Sequence, residues 1–300
     1  MKELIILFLF FSSLLFGESF SLIKMRELVE EIARKDEEKI IILQNGSNIY
    51  YNDGILDKKF LEYVDGAGQE SFLYGSDEEV GRATSLQDRE YLLKRLIPLE
   101  REGKKILTIN YSNNKKDDNT IKKINKKYNF IGERIKTFSA NYFNTPLNPF
   151  SKKNIQSINE VENFLYILNP NKFKNKKEYY NALKNTNYDL IIIEPSFNGE
   201  FFSKSEIERL KYKKSGEKRL LIAYFSIGEA ENYREYWEKK WDEKLPNWIV
   251  KENENWEGNY IVKYWSAEWK EIIKKYQDKL DEIGVDGYYL DTIDSFEFFE

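Results

Sequence analysis

The sequence predicts a single (β/α)8 barrel, and three features of the chain support this prediction. Short apolar runs rich in Ile, Leu, Tyr and Phe alternate with longer, charged segments of helical character, as in a parallel sheet that is buried on both faces. Eight such runs can be counted, which is the number that closes a barrel of roughly 250 residues. No glycine-rich phosphate-binding loop follows any of them, which argues against the alternative, a doubly wound open sheet.

The eight predicted strands are spread over most of the chain. They cover residues 39–43, 63–67, 105–111, 164–168, 189–193, 220–225, 260–264 and 287–290. A helix-like segment at residues 22–35 precedes the first strand. Residues 141–160 are polar, contain two prolines and lack helical periodicity, so we interpret them as a linker inside one domain that comprises residues 20–300. The linker separates a first part, residues 20–140, from a second part, residues 161–300.

The first residues have the pattern of a secretory signal peptide. Lys2 supplies a positive charge, and residues 4–16 form an apolar run of the length expected for the hydrophobic region of such a signal. The run is shorter than the roughly 20 residues that span a bilayer, and the chain has no cysteine that could carry a lipid. We therefore expect a signal peptide at residues 1–19, a secreted or extracytoplasmic protein, and no stable membrane anchor.

The composition restricts the possible chemistry. The chain contains no cysteine and no histidine, which excludes thiol nucleophiles, Ser-His-Asp triads, disulfides and the usual zinc sites. Acid–base chemistry must then depend mainly on Asp, Glu, Lys or Tyr side chains. The net charge of -4 argues against nucleic acid as a partner. Asp291 and Asp294 alone do not indicate a metal site, and we expect no cofactor.

The last part of the chain combines acidic strand ends with aromatic side chains. The strand at residues 220–225 leads to Gly228, Glu229 and Glu231, the final strand ends at Asp291, and all six tryptophans lie between these two strands. In a barrel the carboxyl ends of the strands meet on one face, where active sites lie. Carboxyl groups beside flat aromatic surfaces suit hydrolysis of a glycosidic bond, which needs an acid, a base or nucleophile, and platforms for sugar rings.

Three carboxyl groups are the candidate catalytic residues. Glu229 and Asp291 are the first choice for the acid and for the base or nucleophile, with the two roles left open between them. Glu194, which follows the strand at residues 189–193, is the third candidate. Other side chains near strand ends would complete the pocket wall as sugar ligands, namely Gln44, Asn45, Glu70, Tyr111, Tyr224, Glu231, Tyr233, Trp256 and Asp294. For Glu70 a structural ion pair is an equal alternative, and tryptophans at helical spacing are expected to pack in the core.

Three stretches of the second part resemble a known enzyme family. Residues 223–237, 255–265 and 284–294 are similar to segments of the endo-α-1,4-polygalactosaminidase family, glycoside hydrolase family 114. The resemblance implies a (β/α)8 barrel that acts on a galactosamine-containing exopolysaccharide. We therefore expect a secreted hydrolase that cuts within an α-1,4-linked polymer, with this extracellular polysaccharide as its partner.

The first part of the chain resembles the later part of the same family. Residues 42–46, 64–71 and 104–111 are similar to its last three strands, so the resemblance implies a circular permutation in which strands six to eight precede strands one to five. A closed barrel tolerates such a change because its first and last strands are neighbours. The permutation predicts that Glu300 lies close to residue 20 in the folded chain.

One departure from the family leaves a second function open. The family usually has an aspartate where this chain has Glu194, and the additional methylene displaces the carboxyl group by about 1.5 Å. An error of about 1 Å can cost on the order of 100-fold in rate. The alternative is therefore a non-catalytic, secreted polysaccharide-binding protein on a degenerate barrel. Binding without release of products would distinguish it from the enzyme.

Overall fold

The computed structural model describes residues 19–300 of the chain. Residues 1–18 lie outside this part, and the predicted signal peptide lies almost entirely among them. From residue 19 onward, the chain forms no helix that is both long enough and apolar enough to cross a bilayer.

Eight parallel strands form the main sheet. Numbered along the chain, they are β1 (Ile40–Gln44), β2 (Gly66–Gln69), β3 (Lys105–Tyr111), β4 (Ile131–Ile135), β5 (Phe164–Ile167), β6 (Leu190–Ile193), β7 (Leu220–Ser226) and β8 (Gly287–Asp291). Most of their side chains are buried, as expected for strands covered on both faces. Two short antiparallel pairs lie outside this sheet, Tyr51–Asn52 with Ile55–Leu56 and Ser196–Phe197 with Glu200–Phe201.

Helices connect the strands. They are α1 (Phe20–Lys35), α2 (Leu86–Arg101), α3 (Asp117–Lys127), α4 (Lys176–Lys184), α5 (Lys204–Leu210), α6 (Lys240–Glu243) and α7 (Ala267–Ile283). Five of them begin at a side chain that accepts a hydrogen bond from a first-turn amide, namely Ser19, Ser85, Asn175, Ser203 and Ser266. Short 3-10 segments cover Ser47–Tyr50, Phe60–Tyr63, Ser76–Glu78, Ile158–Glu160 and Ile293–Phe299.

The order of the strands closes the sheet almost completely. It runs β4-β3-β2-β1-β8-β7-β6-β5, and every neighbouring pair is parallel. Because the two edge strands, β4 and β5, are consecutive in the chain, the order is that of a barrel with one seam. The predicted (β/α)8 barrel is confirmed.

One predicted strand does not belong to the barrel. Residues 260–264 overlap Asn259–Val262, which pairs antiparallel with Glu229–Glu231 on one side and Ile249–Glu252 on the other. We call these three strands the insertion sheet. In the strand Asn259–Val262 only the last two side chains are buried. A short apolar run of this kind gives the same sequence signal as a barrel strand, so the pattern alone could not separate the two.

The barrel strand that the sequence did not reveal is β4. Its apolar run is interrupted by Glu133 and Arg134, although Glu133 is fully buried. The predicted strand at residues 63–67 is also displaced, because β2 begins at Gly66 and a 3-10 turn precedes it. With β4 included, four barrel strands precede residues 141–160 and four follow them. The predicted division into three and five strands is therefore wrong.

The ends of the described chain meet, as the permuted order predicted. Ser19 Oγ donates a hydrogen bond to Glu300 Oε1 at 2.7 Å, and the hydroxyl of Tyr264 donates to Ser21 O at 2.7 Å. The strand pair β1–β8 lies between these ends in the barrel. This adjacency supports a permutation relative to the family, which stays a prediction.

The segment predicted as a linker closes the seam between β4 and β5. Asn144 Nδ2 donates to Phe164 O on β5 at 3.1 Å and to Glu133 Oε2 on β4 at 3.2 Å. Just outside the segment, Leu168 N donates to Ala140 O at 3.1 Å. Two apolar side chains of the segment, Ile155 and Ile158, join the core inside the barrel together with the adjacent Val161. Side-chain hydrogen bonds and apolar packing thus take the place of the missing strand pairing.

Candidate active site

A cleft of about 1610 Å³ lies over the carboxyl ends of the barrel strands, the face on which barrel enzymes carry their active sites. The strand ends supply its floor, and the insertion sheet and the segment after β8 supply walls. Ten of the predicted site residues line it, namely Asn45, Glu70, Glu194, Tyr224, Glu229, Glu231, Tyr233, Trp256, Asp291 and Asp294. The structure therefore brings together side chains from both parts of the chain.

Two predicted sugar ligands are not among the residues that line the cleft. Gln44 and Tyr111 are each only 1% exposed, because they point into the barrel interior, where side chains fill the space between the strands. Gln44 Nε2 donates to the hydroxyl of Tyr166 at 3.2 Å, and its Oε1 accepts from the hydroxyl of Tyr289. Tyr111 donates to Glu70 Oε1. Both residues thus contact other side chains of the strand ends from the barrel interior.

Glu70 is held by three hydrogen-bond donors. Asn45 Nδ2 donates to its Oε2 at 2.9 Å, and the hydroxyls of Tyr111 and Tyr166 donate to its Oε1, the latter at 3.4 Å. The amide of Glu70 in turn donates to Asn45 Oδ1 at 3.0 Å. No basic side chain pairs with Glu70 among residues 19–300, so the structural ion pair considered from the sequence is not formed there. The donors instead orient the carboxyl group in the cleft.

Asp291 ends β8 in a setting that favours its protonated form. Burial raises the pKa of this carboxyl group well above its usual value, and the negative charges of Glu70 and Asp294 raise it further. Hydrogen bonds from the Thr292 amide, at 2.7 Å, and from Tyr224 oppose these effects only in part. This setting therefore favours the protonated carboxyl group, which is the form that a general acid requires.

The backbone is unusual at three neighbouring strand ends, those of β1, β2 and β8, near Glu70 and Asp291. Asn45, Ser71 and Thr292 have φ values of 58°, 51° and 59°, in the left-handed region. For Thr292, a β-branched residue, this conformation is rare and costs about 1–3 kcal/mol. Its Oγ1 accepts from Gly228 N at 2.8 Å and donates to Asp291 O at 2.6 Å, which holds the turn. Strain of this kind concentrates at functional sites.

The electrostatics couple Asp291 to Glu70 more closely than to Glu229. Of the neighbouring charges that raise the pKa of Asp291, Glu70 has the largest effect and Asp294 follows. Burial raises the pKa of Glu229, and the neighbouring charge that raises it further is Glu231. The neighbouring charges therefore single out Asp291 and Glu70 as a second candidate pair of carboxyl groups, beside the pair Asp291 and Glu229 preferred from the sequence.

Glu194 is engaged in a buried ion pair. Arg234 Nη1 lies 2.8 Å from Glu194 Oε2, and Arg234 Nε lies 2.5 Å from Glu231 Oε2. Ser196 donates to Glu194 Oε1 through its amide, at 3.0 Å, and through its hydroxyl, at 2.6 Å. Burial raises the pKa of Glu194, whereas Arg234 lowers it. Both carboxylate oxygens of Glu194 are thus engaged in the wall of the cleft, and its predicted catalytic role stays a prediction. No sequence pattern indicated that Glu194 pairs with Arg234.

Glu229 is buried and is held by two amide groups. Asn253 Nδ2 donates to its Oε1 at 2.8 Å, and Asn259 Nδ2 donates to its Oε2 at 3.3 Å. Both asparagines belong to the hairpin that carries Trp256, and their role was not predicted. The only signal for it was their position on either side of Trp256 and Gly258.

Exposed aromatic side chains line the mouth of the cleft. Tyr233, Trp256 and Phe298 are 62%, 45% and 44% exposed and all line it. Phe298 was not predicted, because nothing in its sequence context distinguishes it from a core residue. Trp237 and Trp241 pack against each other with ring centroids 5.3 Å apart, although only Trp241 lies on a helix, α6. Flat aromatic faces at the mouth suit stacking with sugar rings.

Asp294 should make the free energy of unfolding depend on pH. Burial and the charges of Glu297, Glu229 and Glu70 raise the pKa of Asp294 to about 7. The folded chain then holds this proton more tightly than the unfolded chain does. The contribution of Asp294 to the free energy of unfolding should therefore fall as the pH rises from about 4 to about 7.

The Asp294→Asn substitution should remove this part of the pH dependence. Between pH 4 and pH 8 the free energy of unfolding of the wild type should fall by about 1–4 kcal/mol more than that of the variant. Urea unfolding at several pH values measures this difference. Asp53→Asn, at an exposed position outside the cleft, is the control and should follow the wild type. Parallel curves for Asp294→Asn and the wild type would show that Asp294 titrates normally.

Comparison with known proteins yields one family. The model of glycoside-hydrolase family GH114 matches residues 149–299. An uncharacterized protein of Methanocaldococcus jannaschii is 41% identical over 170 residues, which are 54% of this chain and 48% of the relative. An uncharacterized protein of Thermotoga maritima is 51% identical over 77 residues, 26% of this chain and 24% of the relative. The chain thus spans about half, or less, of the length of these relatives.

Two solved structures are similar to part of the chain. The glycoside hydrolase domain of PelA from Pseudomonas aeruginosa has a TM-score of 0.29 and 20% identity, over 37% of this chain and 39% of that one. Aspergillus fumigatus Ega3, in complex with galactosamine, has a TM-score of 0.29 and 24% identity over the same shares.

Proposed function

The chain belongs to glycoside-hydrolase family GH114, and from this premise we propose that it cleaves within an α-1,4-linked, galactosamine-containing polysaccharide by means of two carboxyl groups. The observation that carries the proposal is the coupling of Asp291, whose pKa is raised, to Glu70 in one large cleft. Two carboxyl groups with different environments are the usual machinery of glycoside hydrolysis.

Each group has a distinct role in the proposed reaction. Asp291 transfers its proton to the glycosidic oxygen, and the bond between that oxygen and the anomeric carbon breaks. Glu70, oriented by Asn45 and Tyr111, supplies the electron pair on the other side. It either attacks the anomeric carbon itself or takes a proton from the water that attacks it. In the first case water then hydrolyses the covalent intermediate, and Asp291 accepts the proton of that water.

The charge of the cleft supports a cationic substrate. Twelve acidic side chains line it, against four basic ones. A galactosamine polymer with free amino groups is cationic, so the cleft would attract it over a distance of several ångströms, and salt would weaken that attraction. An open cleft of this size also suits cutting within a chain, because a polymer can lie across it.

We place the protein outside the cytoplasm, where such polysaccharides occur. The charged and apolar pattern of residues 1–19 supports export. Sequencing the N-terminus of protein recovered from the culture medium or the cell surface should give a residue near position 20. An intact Met1 on the recovered protein would argue against a cleaved signal peptide.

The average length of the polysaccharide after incubation with the protein tests the proposed activity. Purified residues 20–300 should rapidly lower the average length of a partly deacetylated α-1,4-galactosamine polymer in size-exclusion chromatography, since internal cuts shorten chains early. An unchanged length distribution, with binding to the polymer, would instead support the non-catalytic polysaccharide-binding protein.

A further inference from the structure

Glu229 is a buried carboxyl group in the cleft without a cationic partner. Two residues along the same strand, Glu231 is neutralised by Arg234 at 2.5 Å. Glu229 has only the amides of Asn253 and Asn259, and no lysine or arginine in residues 19–300 forms an ion pair with it. Amides orient a carboxylate but do not compensate its charge. A buried, uncompensated charge is costly, which makes this position a receptor for a cation from outside the protein.

A close backbone approach brings Glu229 next to Asp294. A β-carbon on Gly228 would lie 2.0 Å from Thr292 O, so only glycine fits at this point. The turn that leads to Glu229 thus lies directly against the turn that leads to Asp294. Consistent with this, the charge of Glu229 contributes to the raised pKa of Asp294. Two carboxyl groups therefore face the same part of the cleft.

An unpartnered hydroxyl group lies at the same place. Ser295 is only 9% exposed and lines the cleft, and its Oγ has no hydrogen-bond partner in the described chain. A β-carbon on Gly228 would lie 2.2 Å from this Oγ, which shows that the hydroxyl points toward the turn of Glu229. Buried polar atoms are almost always paired, and an exception at a cleft indicates a position for a ligand or water.

The aromatic mouth of the cleft completes the pattern of an amino-sugar site. Trp256 lies in the hairpin between Asn253 and Asn259, the two residues that hold Glu229, and Phe298 follows the turn of Asp294 and Ser295. Both rings are exposed and line the cleft. An aromatic face accommodates the apolar side of a sugar ring and also attracts an adjacent cation.

We propose that Glu229, together with Asp294, binds the ammonium group of an amino-sugar unit beside the catalytic pair, and that Glu229 is a specificity-determining residue and not the acid or base. The inference rests on the proposed function of the cleft. An ammonium group has three donors, which two carboxylates and the Ser295 hydroxyl can accept. N-acetylation removes the positive charge, so an N-acetylated unit loses this interaction.

The test compares kcat and KM for a fully deacetylated and a fully N-acetylated α-1,4-galactosamine polymer. Glu229→Gln should raise KM for the deacetylated polymer by about 10- to 100-fold, the effect of one hydrogen-bonded charge. It should leave kcat/KM for the acetylated polymer within about threefold of the wild type, since no ammonium is present there to be lost. Glu257→Gln, which removes an exposed charge from the same cleft, is the matched control and should change KM for either polymer by less than about threefold, as expected for an exposed charge. A large, equal fall of kcat on both polymers in Glu229→Gln would overturn the inference and return Glu229 to a catalytic role.

Binding of monosaccharides separates this inference from the proposed activity. By calorimetry at pH 7, the wild type should bind galactosamine at least about tenfold more tightly than galactose or N-acetylgalactosamine, and Glu229→Gln should lose the preference. This result would support the ammonium site even if no polymer were cleaved. Equal affinity of the wild type for the three sugars would overturn it even if cleavage occurred and even if the variant failed to fold.

Discussion

The Asp291→Asn substitution should lower kcat on the galactosamine polymer by about 100- to 10,000-fold, the usual contribution of a general acid. The amide has no proton to give to the departing oxygen, although its size and its contact with Thr292 are kept. The wild type should also lose activity as the pH rises through the raised pKa of Asp291, because the ionised form cannot act as the acid.

Glu70→Gln should have an effect of the same size or larger. The amide cannot supply the electron pair that the anomeric carbon or the attacking water requires. Thermal unfolding of both variants should remain cooperative and close to that of the wild type, since each amide has nearly the size and shape of the carboxyl group that it replaces. Turnover of Asp291→Asn within tenfold of the wild type would remove Asp291 from the acid role. Turnover of Glu70→Gln within tenfold of the wild type would instead support Glu229 as the second carboxyl group beside Asp291.

The Arg234→Met substitution should lower the free energy of unfolding by about 3–5 kcal/mol at pH 7. Arg234 is almost fully buried and contacts Glu194 at 2.8 Å and Glu231 at 2.5 Å. Methionine fills much of the space but leaves two buried carboxylates without a cation. Urea unfolding, with unchanged dependence on denaturant, measures the loss.

An exposed arginine provides the control for this prediction. Arg82 is about half exposed and pairs with Asp77 at 3.0 Å and Glu79 at 3.5 Å, so Arg82→Met should cost less than about 1 kcal/mol. The cost of Arg234→Met should also shrink toward pH 5, because Glu194, whose pKa is already raised, then takes up a proton more readily. A cost below about 1 kcal/mol at pH 7 would mean that the ion pair does not stabilise the cleft wall.

The apolar runs predicted the barrel because its core strands are buried on both faces and leave few positions for polar residues. β4 was not predicted because its apolar run is interrupted by Glu133. This side chain is buried and accepts a hydrogen bond from Asn144 across the seam. A buried carboxyl group with such a partner looks like a surface charge in the sequence. In the insertion sheet, a barrel strand was predicted where none exists, because the strand Asn259–Val262 is apolar enough to resemble one.

The sequence predicted which carboxyl groups lie in the cleft better than it predicted their hydrogen-bond and ion-pair partners, which are distant in sequence. Asp291 and Glu229 fall in the cleft as expected. The role of Glu70 depends on Asn45 and Tyr111, which lie 25 and 41 residues away, and that of Glu194 depends on Arg234. Such pairings follow from the order of strands around the barrel, which local patterns do not encode.

The permuted order remains a proposal about the history of the chain. The contact between Ser19 and Glu300, and the position of residues 141–160 across the seam, are what a permuted barrel requires. A relative of the same family with its strands in the order β5 to β8 followed by β1 to β4 would support it. Relatives that all share the order of this chain would contradict it.

Mass spectrometry of the soluble products shows whether the cleft cuts the polymer with Asp291 and Glu70. Purified residues 20–300 are incubated with partly deacetylated α-1,4-galactosamine polymer, alongside Asp291→Asn and Glu70→Gln. We expect galactosamine-containing oligosaccharides of several lengths from the wild type, and almost none from either variant. Oligosaccharides in equal amounts from all three proteins, or none from a folded wild type, would contradict it.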